Sequence, residues 1–147
     1  MTELELQSKP FGKIKILDEQ ILQFPEGILG FAEYNRYALI EESEDSPFKW
    51  LQSVDEPDLA FIVIQPELFM KDYSPVLKET EIGEIGLQKL EEALVFVIVT
   101  IPGNDPDGMT ANLQGPILIN RKNHTARQFI SRNDSHSVRV RIVDYLQ

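Results

Sequence analysis

The chain has 147 residues, with 14 Lys+Arg against 24 Asp+Glu for a formal charge of −10, and no cysteine. That length suits one domain that buries its own core, expected here over residues 1–147 with the stretch after about 130 least defined. Without cysteine, a disulfide scaffold, a thiolate metal site and a cysteine nucleophile are excluded.

Taken in chain order, the pattern is mostly of period two. The N-terminal stretch MTELELQSKPFGKIKI is acidic and alternating, unlike a basic-then-apolar signal peptide. Thr2–Leu6 and Lys13–Ile16 each set alternate apolar residues on one face, which predicts strands. Pro25-Glu-Gly27 predicts a tight turn of type II, with the glycine at positive φ. Phe48–Val54 alternates again. Ala60–Ile64 and Leu94–Ile101 lack alternation and are rich in Val, Ile and Phe, which predicts central strands covered on both faces. Pro66–Phe69 predicts a single helical turn. Leu87, Leu90 and Leu94, at spacings of three and four, predict about two helical turns over Glu84–Glu92. A turn-rich segment, Pro102–Gly108, precedes a last alternating strand at Val138–Ile142. Short strands separated by such turns predict a mainly β chain: a small antiparallel β-barrel-like domain with one or two short helices. No apolar run nears the roughly 18 residues of a membrane helix, so neither membrane insertion nor secretion is expected.

Charge is unevenly placed. Residues 1–120 hold 22 acids and 8 bases, net −14, whereas residues 121–147 hold 2 acids and 6 bases, net +4. An acidic surface of this kind repels phosphate, so direct nucleic-acid binding is not expected. The basic tail (Arg121, Lys122, Arg127, Arg132, Arg139, Arg141) reads as a solvated stripe pairing with acidic neighbours.

Motifs for chemistry are missing. His124 and His136 read as surface residues, and no GxSxG, HExxH, Walker or GxGxxG pattern occurs. Gly27-Ile-Leu-Gly30 has an apolar interior and no following Lys; it reads as a turn that re-aims Phe24 and Phe31. Asn104-Asp-Pro-Asp-Gly108 breaks the calcium-loop pattern, with Gly103 and Gln114 where ligands are needed, and reads as a turn. No metal, cofactor or catalytic residue is therefore expected. Asn123-His-Thr125 and Asn133-Asp-Ser135 match glycosylation sequons, without meaning in a chain lacking a secretion signal. Glu41, Glu42, Glu44, Asp45, Asp55, Glu56 and Asp58 crowd around Pro47 and Pro57 with Lys49 as the only base. They read either as a solubilising rim or as a docking surface for a basic or amphipathic partner.

Four segments in order carry a family resemblance: Phe24-Pro-Glu-Gly-Ile-Leu-Gly-Phe31; Pro47-Phe-Lys-Trp-Leu-Gln-Ser53 with Asp55-Glu-Pro57; Val97-Ile-Val-Thr-Ile-Pro102; and Asn112-Leu-Gln-Gly-Pro-Ile-Leu-Ile-Asn120. Over residues 3 to 130 the chain resembles the FliW flagellar assembly factor family. Gly115 stands where that family commonly has Ala, and the segment after Ile130 matches less clearly. The resemblance implies a small cytoplasmic β-barrel-like protein without enzymatic activity, and a monomer is expected. It further implies two partners, flagellin and the RNA-binding translational repressor CsrA, exchanged by partner switching. Candidate partner-binding residues are Phe24, Glu26, Phe31, Glu41, Glu44, Asp45, Asp55, Glu56, Asp58, Asn112 and Gln114. Phe48 and Trp50 serve equally well as core. Two other readings compete: a small-ligand or sugar-binding β-barrel, even an acid-pair hydrolase, and an acidic nucleic-acid mimic. The first needs a polar cavity lined by carboxylates, the second carboxylates spaced like phosphates along a ridge.

Overall fold

The computed structural model describes residues 3–41, 43–133 and 136–142. Glu42, the Asp134–Ser135 end of the second sequon and residues 143–147 lie outside them. Eleven strands occur in the described residues: β1 (Glu3–Ser8), β2 (Gly12–Leu17), β3 (Ile21–Gln23), β4 (Arg36–Glu41), β5 (Phe48–Ser53), β6 (Ala60–Ile64), β7 (Ala93–Thr100), β8 (Thr110–Ala111), β9 (Ile117–Asn120), β10 (Thr125–Gln128) and β11 (Val140–Arg141). β1 and β2 form a separate hairpin, with Leu4 opposite Ile16 and Leu6 opposite Ile14. The other nine run in the order β11-β8-β7-β6-β5-β4-β3-β10-β9, and β9 returns to pair with β7. Seven strands, β3 to β7 with β9 and β10, thus close into a barrel, and closure leaves no open sheet edge among them.

Pairing is antiparallel as the alternation predicts, except that β10 meets β3 in parallel through Thr125 and Gln23. β7 owes its length to two successive partners. Ala93 to Phe96 face β9, then Val99 and Thr100 face β8. The sheet forks where β9 leaves and β8 joins.

Period-two alternation sends one side-chain set inward and the other outward. Leu22, Tyr37, Leu51, Val63, Phe96, Ile117 and Ile119 fill the barrel interior, with Phe24 and Ile28 closing it from the chain after β3. Outward residues are covered too, which explains the unbroken apolar runs. Ile64, Val97 and Val99 lie under Phe69, Leu113 and Ile142. Leu118 lies under Ile82, Ile85, Leu87 and Phe129. Ala38 lies under Leu6 and Ile16 of the hairpin. Among these interior side chains the Tyr37 hydroxyl is buried without a hydrogen-bond partner. Its desolvation pushes the phenol up to about 12.

The helical expectations are only partly met. Pro66–Leu68 forms a 3-10 turn, as read from Pro66–Phe69. The two turns expected over Glu84–Glu92 do not form there. The α-helix α1 spans Glu79–Gly83, and a 3-10 turn follows at Leu90–Glu92. Gly86 at φ +83 takes the left-handed conformation and ends the helical course. The Asn120 and Asn123 amides both donate to the Ile85 carbonyl there. The leucine spacing records burial of Leu87 against the barrel rather than a helix face. No helix among the described residues is long and apolar enough to cross a membrane.

Candidate functional site

Strand register sorts the candidate residues into two ends of the barrel. Gln23 faces Arg36, Tyr37 faces Ser53, and Gln52 faces Ala60, so the chain after β3 and the turn after β5 share one end. Thr100 faces Thr110 at that end, and Gln128 faces Ile117, which brings the segment before β9 to it as well. Glu26, Phe31, Asp55, Glu56, Asp58, Asn112 and Gln114 thus gather at the fork end. Glu41 pairs with Lys49 at the opposite end, beside Glu44 and Asp45 in the β4–β5 turn. The single acidic rim expected over 41–58 is split, because the six residues of β5 separate its halves by roughly 17 Å.

The chain after β3 makes two turns in succession. Gly27 N donates to the Phe24 carbonyl at 2.8 Å, and Phe31 N to the Ile28 carbonyl at 2.7 Å. The first turn therefore begins one residue earlier than the type II turn expected from Pro25-Glu-Gly27. Gly27, at φ +66, is its last residue, and Gly30, at φ +89, holds the third position of the second turn. Phe24 is fully buried in edge contact with Tyr37 at 5.1 Å, so its side chain is core rather than surface. Phe31 is 36% exposed and leans on Phe61 at 5.3 Å. Leu29, at the corner of the second turn, is 60% exposed.

The turn after β5 is built by two side chains of that strand. Buried Gln52 accepts from Ser8 Oγ at 2.7 Å and donates toward the carbonyls of Glu56, Pro57 and Leu59. Ser53 Oγ accepts from the backbone N–H groups of Asp55 and Glu56. This scaffold presents Asp55 and Asp58 to solvent, with Glu56 half-buried. Asp55 is bound by Arg36 (Nη2 to Oδ1 2.6 Å, Nε to Oδ2 3.4 Å), which holds the guanidinium above its ordinary pKa. Among the described residues Glu56 and Asp58 carry no such pair.

Asn112 Oδ1 accepts from the N–H groups of Gln114 and Gly115, shaping the bend before β9. A Cβ on Gly115 would stand 2.9 Å from both Asn112 Nδ2 and Gln128 Nε2, so these amides occupy the space the family's usual Ala would need. Gln128 ties the two candidate segments together: it accepts from Leu29 N at 3.0 Å and donates to the Gly115 carbonyl at 3.1 Å. Between these segments, at the fork, a groove of about 660 Å³ opens among Ile28, Leu29, Ile98, Thr110, Asn112 and Val138. Gln128, Val138 and Arg139 of its wall carry no sequence signal that marks them as functional. Leu29 could have been noticed as the apolar corner between two glycines.

The tail differs from expectation at one histidine. His124 is half-buried, but His136 is buried, stacked on Tyr73 at 4.5 Å and 3.2 Å from Ser131 Oγ. Its fold-back beside Leu113, through the Leu113 N to Ser137 carbonyl bond, hides it. Arg127 and Arg132 do pair with acids, Glu84 and Glu81. Phe48 packs outward near Ile64, and Trp50 meets Phe11 of the hairpin tip at 5.2 Å. Among the described residues the clustered acids stand on surface turns rather than in the barrel interior, against the ligand-barrel or hydrolase reading. Their division between two ends is also unlike the continuous ridge a nucleic-acid mimic needs. Asp105 Oδ1 accepts from Asp107 N inside the Pro102–Gly108 turns, so it caps a turn.

Comparison with known proteins fits this architecture. The model of the family described as "FliW protein" matches residues 5–142. A protein of Leptospira interrogans serovar Lai named flagellar assembly factor FliW is 58% identical over 141 residues, spanning 96% of this chain and 94% of its own. The protein of that name from Caldanaerobacter subterraneus subsp. tengcongensis is 41% identical over 145 residues, spanning 98% and 96%. A crystal structure of the flagellar assembly factor FliW superposes with a TM-score of 0.84 at 32% identity, covering 95% of this chain and 96% of that one.

Proposed function

The chain belongs to the FliW family of flagellar assembly factors, and from that premise we propose that it binds flagellin in the cytoplasm and antagonises the RNA-binding repressor CsrA by partner switching. In this reading it acts as a single non-enzymatic domain. Free factor holds CsrA; accumulating flagellin takes the factor and releases CsrA to silence flagellin translation; secretion of flagellin reverses the exchange.

The observation that carries the reading is the fork end of the barrel. There an open groove with exposed apolar Leu29 and Val138 lies at the same end as Glu56 and Asp58, acids that have no ion pair among the described residues. Apolar surface of this kind suits a subunit whose amphipathic segments stay uncovered until it polymerises. Unpaired carboxylates suit a repressor whose own surface must attract RNA phosphates. Calorimetric titration of the purified chain with flagellin and, separately, with CsrA tests the two binary contacts. Saturable binding of each is expected, and absence of either removes that partner from the scheme.

A further inference from the structure

The groove at the fork has a charge pattern at odds with the rest of the molecule. In a chain of net charge −10, no acid among the described residues lines it, and Arg139 is the one charged residue of its described wall. Lys13, Arg36, Lys49, Arg127 and Arg132 are all engaged by carboxylates. Arg139 is not: among the described residues its side chain meets no acid, and only its backbone N–H is bonded, to Ser137 Oγ. The groove's polar side is rich in donors as well. Asn112 spends its oxygen on the Gln114 and Gly115 N–H groups, and among the described residues its Nδ2 makes no hydrogen bond. Two of its lining residues are exposed apolar side chains, Leu29 at 60% and Val138 at 51%.

We propose that this groove is the seat of an amphipathic segment of the flagellar partner, its apolar face between Leu29 and Val138 and one of its carboxylates on Arg139. The inference rests on the flagellin reading above and deepens it by assigning the surface and the chemistry of the segment. Charge selects the occupant. Arg139 is the one charged group among the described residues that line the groove, so a segment that sets a carboxylate beside apolar side chains complements it, and that contact fixes the direction in which the segment enters. A volume of about 660 Å³ is of the size that accepts a few side chains rather than a whole helix. The segment therefore lies across the groove and inserts its apolar corner.

Flagellin is titrated into the parent and into four variants, with thermal melts showing that each is folded. Arg139→Glu and Leu29→Asp are both expected to weaken binding about tenfold or more, as losses at the centre of an interface do. Arg139→Lys keeps the charge and is expected to stay within about threefold. Arg121→Glu makes the same charge change on the exposed turn after β9, at the other end of the barrel, and is expected to leave binding unchanged. If the parent binds flagellin and both groove variants bind like it, the groove assignment is overturned while the flagellin reading stands. If Arg121→Glu weakens binding as much as Arg139→Glu, net charge is responsible and the assignment again fails. A parent that does not bind flagellin overturns the functional reading and the inference with it.

Discussion

At Gly27 a Cβ would lie 2.6 Å from Ala32 Cα and 2.9 Å from the Phe31 carbonyl oxygen, both backbone atoms that cannot swing away. Gly30, also at positive φ, has open space around the same position. The two glycines therefore fail differently. Gly30→Ala is expected to cost about 1 kcal/mol, the left-handed penalty alone. Gly27→Ala adds backbone displacement and is expected to cost about 3 kcal/mol, read as the shift in urea midpoint. Equal losses would mean that the second turn is as crowded as the first. His136 makes a second prediction at this scale. Burial pushes its imidazole below the ordinary 6.5, so the folded state binds fewer protons than the unfolded one. The stability this contributes is full above pH 6.5 and is lost as pH falls through that value toward the folded pKa. Urea midpoints are expected to drop between pH 7 and 5.5, and less so in His136→Asn. Glu81, held below its ordinary 4.5 by the Lys78 N–H and by Arg132, contributes a loss only at more acid pH.

At the scale of elements, five of the longer strands and the last were legible, whereas β4, six residues long but buried without alternation, and the short strands between were not. β1, β2, β5, β6 and β7 carry their pattern over five to eight residues. β3 has three residues and β10 four, Thr-Ala-Arg-Gln, with one apolar side chain to mark a face. Their pairing is imposed by barrel closure, a tertiary constraint that no local period records. The expected helix at 84–92 failed for the opposite reason: a period was present, but it came from a segment draped over β9. The candidate site was half legible. Turn chemistry identified the 24–31 bend and the family resemblance the 112–120 segment, whereas their meeting through Gln128 depends on strand order. The β5–β6 turn yields a prediction of its own. Asp55 is neutralised by Arg36, so Glu56 and Asp58 are the acids left to steer a basic partner. Reversing both to Lys is expected to slow CsrA association several-fold at low salt, with a smaller effect on dissociation and little effect near 0.5 M salt. A change confined to the dissociation rate, measured by stopped flow, would make these residues direct contacts instead.

For the whole molecule, the barrel brings a groove and an acidic turn to one end and leaves a second acidic turn at the other. Area alone does not force two partners to collide. Each needs about 800 Å², and the folded chain exposes 8618 Å². Exclusion follows from placement: if flagellin sits at the fork and CsrA is drawn to Glu56 and Asp58, both claim the same end. Were CsrA drawn to Glu44 and Asp45, the partners would sit at opposite ends, and any coupling would pass through the sheet and be only a few-fold. Coupling of either kind must be reciprocal, each partner lowering the other's affinity by the same factor. Titration of CsrA into a preformed, saturated complex of the chain with flagellin is the decisive measurement. The switch predicts that CsrA binds only as flagellin leaves, its apparent affinity falling in proportion to free flagellin. A stable ternary complex with both affinities unaltered would contradict it, even with both binary complexes in hand.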